Sequence, residues 1–246
     1  MTPIVAFTDL DDTLFQTAAK CRPNQNLRTA ALSSSGEPLS FMTLGQQLLV
    51  DLLLKDAYLI AVTARTGASL SRVKLKFNHG AIVNAGGTIL DPNGQVDQKW
   101  HDITAPKAKQ SQALLTEALE MANCFIDHFA LEAKARLIGD YGLNFYLSIR
   151  TLPGHGSELS DLEKELSEFF GPKAAVNLSG HNLTVRPAYL DKARAVEFFI
   201  ENYLAFSPEE GLIIGLGDSL ADLGFLNLCH YQLIPTNSQL AKFRAL

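Results

Sequence analysis

Asp9, Asp11 and Asp12 crowd three carboxylates into four positions of "VAFTDLDDTL" (residues 5–14), directly after an apolar run. Like charges this close repel, so the cluster calls for a counter-cation or an unusual pKa. In a strand, side chains two apart share a face; Asp9 and Asp11 would then point one way and Asp12 the other. In open α/β sheets the carboxyl end of a strand is where ligands bind. The plainer alternative is a strand-to-loop transition in which aspartates cap turns. A second acidic pair follows late in the chain. In "LIIGLGDSLADLGFL" an apolar run and glycines precede Asp218 and Asp222, which would share one face if a helix begins at Ser219. Its alternative is a strand-end turn followed by a stabilising Asp in a first helical turn. Between the two clusters, "AYLIAVTART" runs out on Thr63 and Lys192 opens a helical pattern. Taken singly, these are a capping Thr and a solvated Lys.

The elements that must position these residues read as short apolar runs alternating with helix-period segments, as in a parallel sheet covered on both faces. The runs are residues 4–7, 57–62, 80–85, 211–216 and 231–234. Thr43 is placed to N-cap "LGQQLLVDLLLKD", with Leu44, Leu48, Leu49 and Leu52 as its apolar stripe. Further helices are expected over residues 69–77 and 191–203, the latter with Ala195, Phe198, Phe199 and Tyr203 inward, and a hairpin over 27–43. From about Thr88 to Leu183 the texture changes to hairpin, helix, strand, helix and two strands, which suggests an α+β insert. Turn-rich "NAGG" (84–87) and "RPAYLD" (186–191) bracket it. The expected architecture is α/β: a Rossmann-like parallel-sheet core over 1–87 and 185–246, with an α+β unit inserted over 88–184.

Composition narrows the partners. With 246 residues, 47% of them hydrophobic, the chain can bury a sizeable core. A net charge of −5 and scattered Lys and Arg give no reason to expect nucleic acid, and a small anionic or polar ligand fits better. Cys21, Cys124 and Cys229 are far apart with no C-x-x-C pair, so neither zinc nor a disulfide framework is suggested and a reducing, cytoplasmic setting is expected. No basic leader precedes the first aspartates and no run is long enough to span a membrane.

In this order, "DLDDT", Thr63, Lys192 and "GDSLAD" resemble the four motifs of the haloacid dehalogenase superfamily. The insert resembles the large α/β cap of sugar-phosphate phosphatases, sucrose-phosphate phosphatases among them, and "IVNAGGTILDPNG" is similar to their core-to-cap crossing. The resemblance implies a magnesium-dependent phosphomonoester hydrolase acting through an aspartyl-phosphate on a small phosphorylated metabolite, a sugar phosphate above all. Asp9 would be the nucleophile and Asp11 the general acid and base. Thr63 and Lys192 would hold the phosphoryl oxygens. Asp9, Asp11 through its carbonyl, and Asp218 would hold Mg2+, with Asp222 on a metal-bound water or orienting Lys192. Thr13 would brace the loop and Asp12, where relatives often have Gly, would be structural. Ala221 stands where many large-cap relatives have Asn. Asp11 favours phosphate chemistry over dehalogenation, because halide leaves without a proton. A phosphomutase and a non-catalytic binding module of the same fold are the alternatives. Arg65 is read equally as a substrate contact or as the partner of an acid, and Asn144, Arg150 and His181 as substrate-facing or solvated residues of the insert. Nothing in the sequence speaks to oligomeric state.

Overall fold

The computed structural model describes residues 3–204 and 206–244; the outermost residues of the expected core, 1–2 and 245–246, lie outside these. In chain order the elements are β1 (Ile4–Thr8), β2 (Gln16–Thr17), β3 (Arg28–Leu32), β4 (Pro38–Met42), α1 (Leu44–Asp56), β5 (Ala57–Val62), α2 (Gly67–Leu70), β6 (Ala81–Val83) and β7 (Thr88–Leu90). Then come α3 (Gln98–Gln110), α4 (Gln112–His128), β8 (Ala133–Asp140), β9 (Leu143–Thr151), α5 (Ser160–Phe170), β10 (Ala174–Ser179) and β11 (Asn182–Pro187). The chain continues through α6 (Lys192–Tyr203), β12 (Leu212–Leu216), α7 (Leu223–Leu226), β13 (Tyr231–Leu233) and α8 (Gln239–Arg244). Two compact units form: Met1–His101 with Asp191–Leu246, and Asp102–Leu190.

The first unit is a six-stranded sheet, β13-β12-β1-β5-β6-β7, parallel except for β7, which runs antiparallel to β6. Period-two alternation along β1 feeds two cores. Val5 and Phe7 pack on the α6 side with Ala195, Val196 and Phe199, the Phe7 and Phe199 rings edge-on at 5.8 Å. Ala6 packs on the other side with Val50 and Leu53 of α1. The expected parallel strands therefore form, and β7 stays in this unit because it pairs with β6, so the crossing comes later than the turn at 84–87. Within that turn Asn84, Ala85 and Gly86 all have positive φ, and Trp100 Nε1 donates to the Gly86 carbonyl at 3.0 Å. A Cβ on Gly86 would lie 2.4 Å from the Asp191 carbonyl oxygen, so glycine there lets the turn pack against the start of α6.

Two expected helices differ. Thr43 caps α1 with a complete capping box to Gln46, as its position suggests. The face turned to the core carries Val50 and Leu53, however, while Leu44, Leu48 and Leu52 are 59, 60 and 68% exposed. The run "LLVDLLL" contains leucine all round the helix, so spacing alone does not pick the inward face. The expected helix over 69–77 is only the single turn α2. Leu32 N donates to the Arg72 carbonyl and Lys74 N to the Ala30 carbonyl, so the following segment pairs with β3 instead. The hairpin expected at 27–43 is β3 and β4, joined by the short β2.

The second unit is an antiparallel sheet, β10-β11-β9-β8, with α4 and α5 packed on one face. Leu147, Ile149, Leu183 and Val185 point into that helix-covered core. Strand β8 and the Pro106-containing α3 are additions to the expected elements. "AKARLIGD" alternates small, charged and apolar residues and lacks the aromatic and β-branched density that marked its neighbour β9. No helix among the described residues is long and apolar enough to cross a membrane.

Candidate active site

β1 and β12 end side by side, with Thr8 opposite Leu216, and the backbone N–H of Asp9 donates to the Leu216 carbonyl at 2.8 Å. This pairing brings the two acidic motifs together at the carboxyl edge of the sheet. The Asp9, Asp218 and Asp222 carboxylates each place an oxygen within 4.8 Å of the others. Thr13 Oγ1 bridges two of them, donating to Asp9 Oδ2 at 3.3 Å and Asp218 Oδ1 at 3.4 Å. Lys192 enters from the first turn of α6, whose N-cap Asp191 accepts from Ala193 N at 2.8 Å. Its buried Nζ donates to Asp9 Oδ1 at 2.6 Å and to Asp222 Oδ1 at 2.7 Å.

Both Asp222 oxygens are hydrogen-bonded. Its Oδ2 accepts from Asp218 N, Ser219 N and Ser219 Oγ at 3.2, 3.0 and 2.8 Å, and its Oδ1 takes Lys192. The carboxylate therefore fixes the Lys192 head and folds the 217–219 loop at once. A Cβ on Gly217 would stand 2.7 Å from Asp222 Cβ, so glycine admits this close return. The cap is a 3₁₀ turn at Leu220–Asp222 rather than a helix from Ser219, but Asp218 and Asp222 still converge. Ser219 is the residue that motif reading passed over; an N-cap Ser three before an acid was its signal.

Thr63 is buried at the end of β5, one strand from β1. Its backbone bonds Ile82 O and Ala85 N, and its Oγ1 accepts from Arg65 N at 3.1 Å, so the hydroxyl hydrogen is left to donate elsewhere. Asp11 stands apart from the cluster. Its exposed carboxylate holds a bidentate ion pair with Arg65, Nε to Oδ2 and Nη2 to Oδ1 both at 2.7 Å. Arg65 also reaches Ser69 Oγ at 3.4 Å and lies over the Phe15 ring at 5.1 Å. β1 stops at Thr8, and just beyond Asp11 the chain turns through Asp12 in the left-handed region (φ 66°). Asp tolerates that conformation better than most residues, which accounts for it at a position suited to Gly. Asp12 itself pairs with Lys20.

Electrostatics follow the crowding. Burial, with the charges of Asp222 and Asp218, pushes Asp9 above the carboxylate range against the pull of Lys192. Burial and the charges of Asp222 and Asp12 push Asp218 up to about 7. Burial alone would raise Asp222, but Lys192 and the Ser219 donors outweigh it and hold it low. Burial opposes the charge on Lys192, yet Asp222 and Asp9 hold its pKa above the usual lysine value. Three acids thus face one ammonium. The carboxylates of Asp9 and Asp218 have oxygens for a hard divalent cation, the ligand type Mg2+ takes with retained waters, and such a charge would relieve their repulsion.

No protein-family model matches the chain, and no curated protein matches it by sequence. Solved structures do. A sucrose-phosphatase from Synechocystis sp., determined with sucrose and phosphate, aligns over 100% of this chain and 87% of its own at 19% identity and a TM-score of 0.56. The C-terminal domain of trehalose-6-phosphate phosphatase from C. albicans covers 92% of this chain and 73% of its own at 17% identity and a TM-score of 0.58. A haloacid dehalogenase-like hydrolase from B. subtilis covers 98% and 91% at 12% identity and a TM-score of 0.56. The chain has the fold of the haloacid dehalogenase-like hydrolases and sugar-phosphate phosphatases, a parallel-sheet core with an inserted cap unit.

Proposed function

We propose that the protein is a magnesium-dependent phosphomonoester hydrolase acting through an aspartyl-phosphate on a small phosphorylated metabolite, a sugar phosphate in the first instance. The observation that carries this reading is Asp9: a buried carboxylate at the carboxyl end of the central strand, with one oxygen held by Lys192 at 2.6 Å and the other accepting from the Thr13 hydroxyl, which also reaches Asp218. Asp9 Oδ2 attacks phosphorus, the bond to the ester oxygen breaks, and Asp11 supplies the proton to the departing alcohol. Water then attacks the phosphoryl group, its proton passes to Asp11, and the phosphorus–oxygen bond to Asp9 breaks, which restores the carboxylate and releases inorganic phosphate as the second product. Lys192 and the Thr63 hydroxyl hold phosphoryl oxygens where charge builds up. Asp222 keeps Lys192 protonated and aimed.

Asp9, Asp218 and the carbonyl of Asp11 would hold Mg2+. When bound, it supplies positive charge that offsets repulsion between the carboxylate and the phosphate ester. Asp11 has to act from, or leave, its pairing with Arg65, which gives Arg65 a positioning role. Its cysteine usage suits a reducing compartment. Purified protein with Mg2+ is expected to release phosphate from p-nitrophenyl phosphate and from members of a sugar-phosphate panel, without forming an isomerised sugar phosphate. No release from any of them would overturn the proposal, and isomerisation would point to a mutase.

A further inference from the structure

Thr13 touches both carboxylates offered to the cation, but only by long bonds, 3.3 Å to Asp9 and 3.4 Å to Asp218. Hydroxyl hydrogen bonds usually span about 2.5–3.0 Å, and Thr13 has one hydrogen to divide between two acceptors. Contacts this loose do not hold the threonine in place; its backbone has to. Thr13 is only 4% exposed, and its N–H reaches the Leu10 carbonyl at 3.4 Å, again a long bond. Its carbonyl accepts from Gln46 Nε2 of α1 at 3.4 Å, across 33 residues of sequence.

Gln46 is itself firmly fixed. It is the third residue of α1, and its Oε1 accepts from Thr43 N at 2.9 Å as one half of the capping box. A backbone N–H only donates, so this bond settles which end of the amide is oxygen and turns Nε2 toward the loop. There Nε2 also donates to Gln16 Oε1 at 2.7 Å, which ties in β2. One amide thus joins the helix cap, the hairpin and the loop that carries Asp9, Asp11 and Thr13. A buried carbonyl deprived of its donor is costly and is relieved by moving toward another donor or water. At Thr13 that movement would draw the hydroxyl away from Asp9 and Asp218 and let two mutually repelling carboxylates separate.

We infer that Gln46 is a positioning residue: through the Thr13 carbonyl it sets the spacing of Asp9 and Asp218, and with it the affinity of the site for a divalent cation. The inference rests on the reading of those two carboxylates as Mg2+ ligands and adds to it a residue outside the acidic motifs. Gln46→Met keeps the length of the side chain and removes its donors. Mg2+ titrated by calorimetry into the full-length variant, with no substrate present, should bind about tenfold more weakly than to the parent. On p-nitrophenyl phosphate kcat should fall about tenfold while KM changes less than about twofold, since Lys192 and Thr63 still hold the ester. Thr43→Ala is the control, because it strips the side-chain cap from the same helix end and leaves the Thr13 carbonyl its donor. It should lower the melting temperature and keep Mg2+ affinity within about twofold of the parent. Gln46→Glu separates capping from positioning a second way: a carboxylate still accepts from the residue 43 N–H but cannot donate to Thr13, so α1 stays capped and kcat should fall as it does in Gln46→Met. The inference is overturned by Mg2+ affinity and kcat within about twofold of the parent in Gln46→Met, by full kcat in Gln46→Glu, or by a Thr43→Ala protein that loses as much Mg2+ affinity as Gln46→Met. An unsubstituted chain that binds no Mg2+ overturns it as well, whereas Mg2+ binding without phosphate release counts against the hydrolase reading alone.

Discussion

Replacing Lys192 by Met tests the electrostatic centre of the site. The two side chains have similar unbranched stems, so packing is largely kept, but the ammonium lying 2.6 Å from Asp9 and 2.7 Å from Asp222 disappears. Both carboxylates are buried, and Asp222 is fully so. Removing one member of a buried ion pair leaves an uncompensated charge at a cost of about 3–5 kcal/mol. At about 2–4 °C per kcal/mol for a chain of this size, the melting temperature should fall by about 6–20 °C. The sign of the pH dependence follows from Asp222. Its folded pKa is held below the unfolded value, so the stability it contributes is present above about pH 4 and lost as pH falls. Without Lys192 that contribution is gone, and burial pushes both acids up, so the variant loses stability as pH rises. The gap between the two proteins should therefore be widest near pH 8 and shrink toward pH 5. Denaturant unfolding at both pH values measures it. A variant within about 1 kcal/mol of the parent at pH 8, or a gap that does not narrow at pH 5, would refute the argument.

Three other outcomes are expected. Because Asp218 is pushed up to about 7, protons compete with a cation below that value; Mg2+ should raise the melting temperature more at pH 8 than at pH 5.5, and equal shifts would argue against Asp218 as a ligand. Arg65→Met frees Asp11 from its bidentate partner and should slow sugar phosphates, whose alkoxide needs a proton, more than p-nitrophenyl phosphate, whose phenolate leaves without one; an equal loss on both would deny Arg65 its positioning role. On α1, Leu53→Ala should cost about 2–5 kcal/mol in a denaturation curve and Leu48→Gln less than about 0.5, since Leu53 is in the core and Leu48 is exposed.

The sequence carried most of the core sheet, since each buried parallel strand is a continuous apolar run, and Thr43 announced its helix by capping chemistry. Asp9 and Asp218 stood out as clustered acids after apolar runs, whereas Thr63 and Lys192 gained weight only from the order they share with the motifs of the haloacid dehalogenase superfamily. Leucine on every side of α1 hid its inward face, and β3 captured the segment after α2 through long-range hydrogen bonds that no window of sequence contains. Asp11 lies three residues past the end of β1, and its carboxylate pairs with Arg65 instead of joining the Asp9, Asp218 and Asp222 group. Its bond to Arg65, 54 residues away, was one of two readings left open by the sequence and needed the β1–β5 register to decide.

The central claim is that phosphate passes through Asp9. Enzyme turning over a sugar phosphate with Mg2+ is quenched into borohydride, which reduces an acyl phosphate to an alcohol, and the peptide holding residues 5–14 is sequenced by mass spectrometry. Homoserine at position 9, formed only when the ester is present, is the predicted result. Phosphate released by the enzyme with Asp9 unreduced in every sample, or with the label on another acid, would contradict the account.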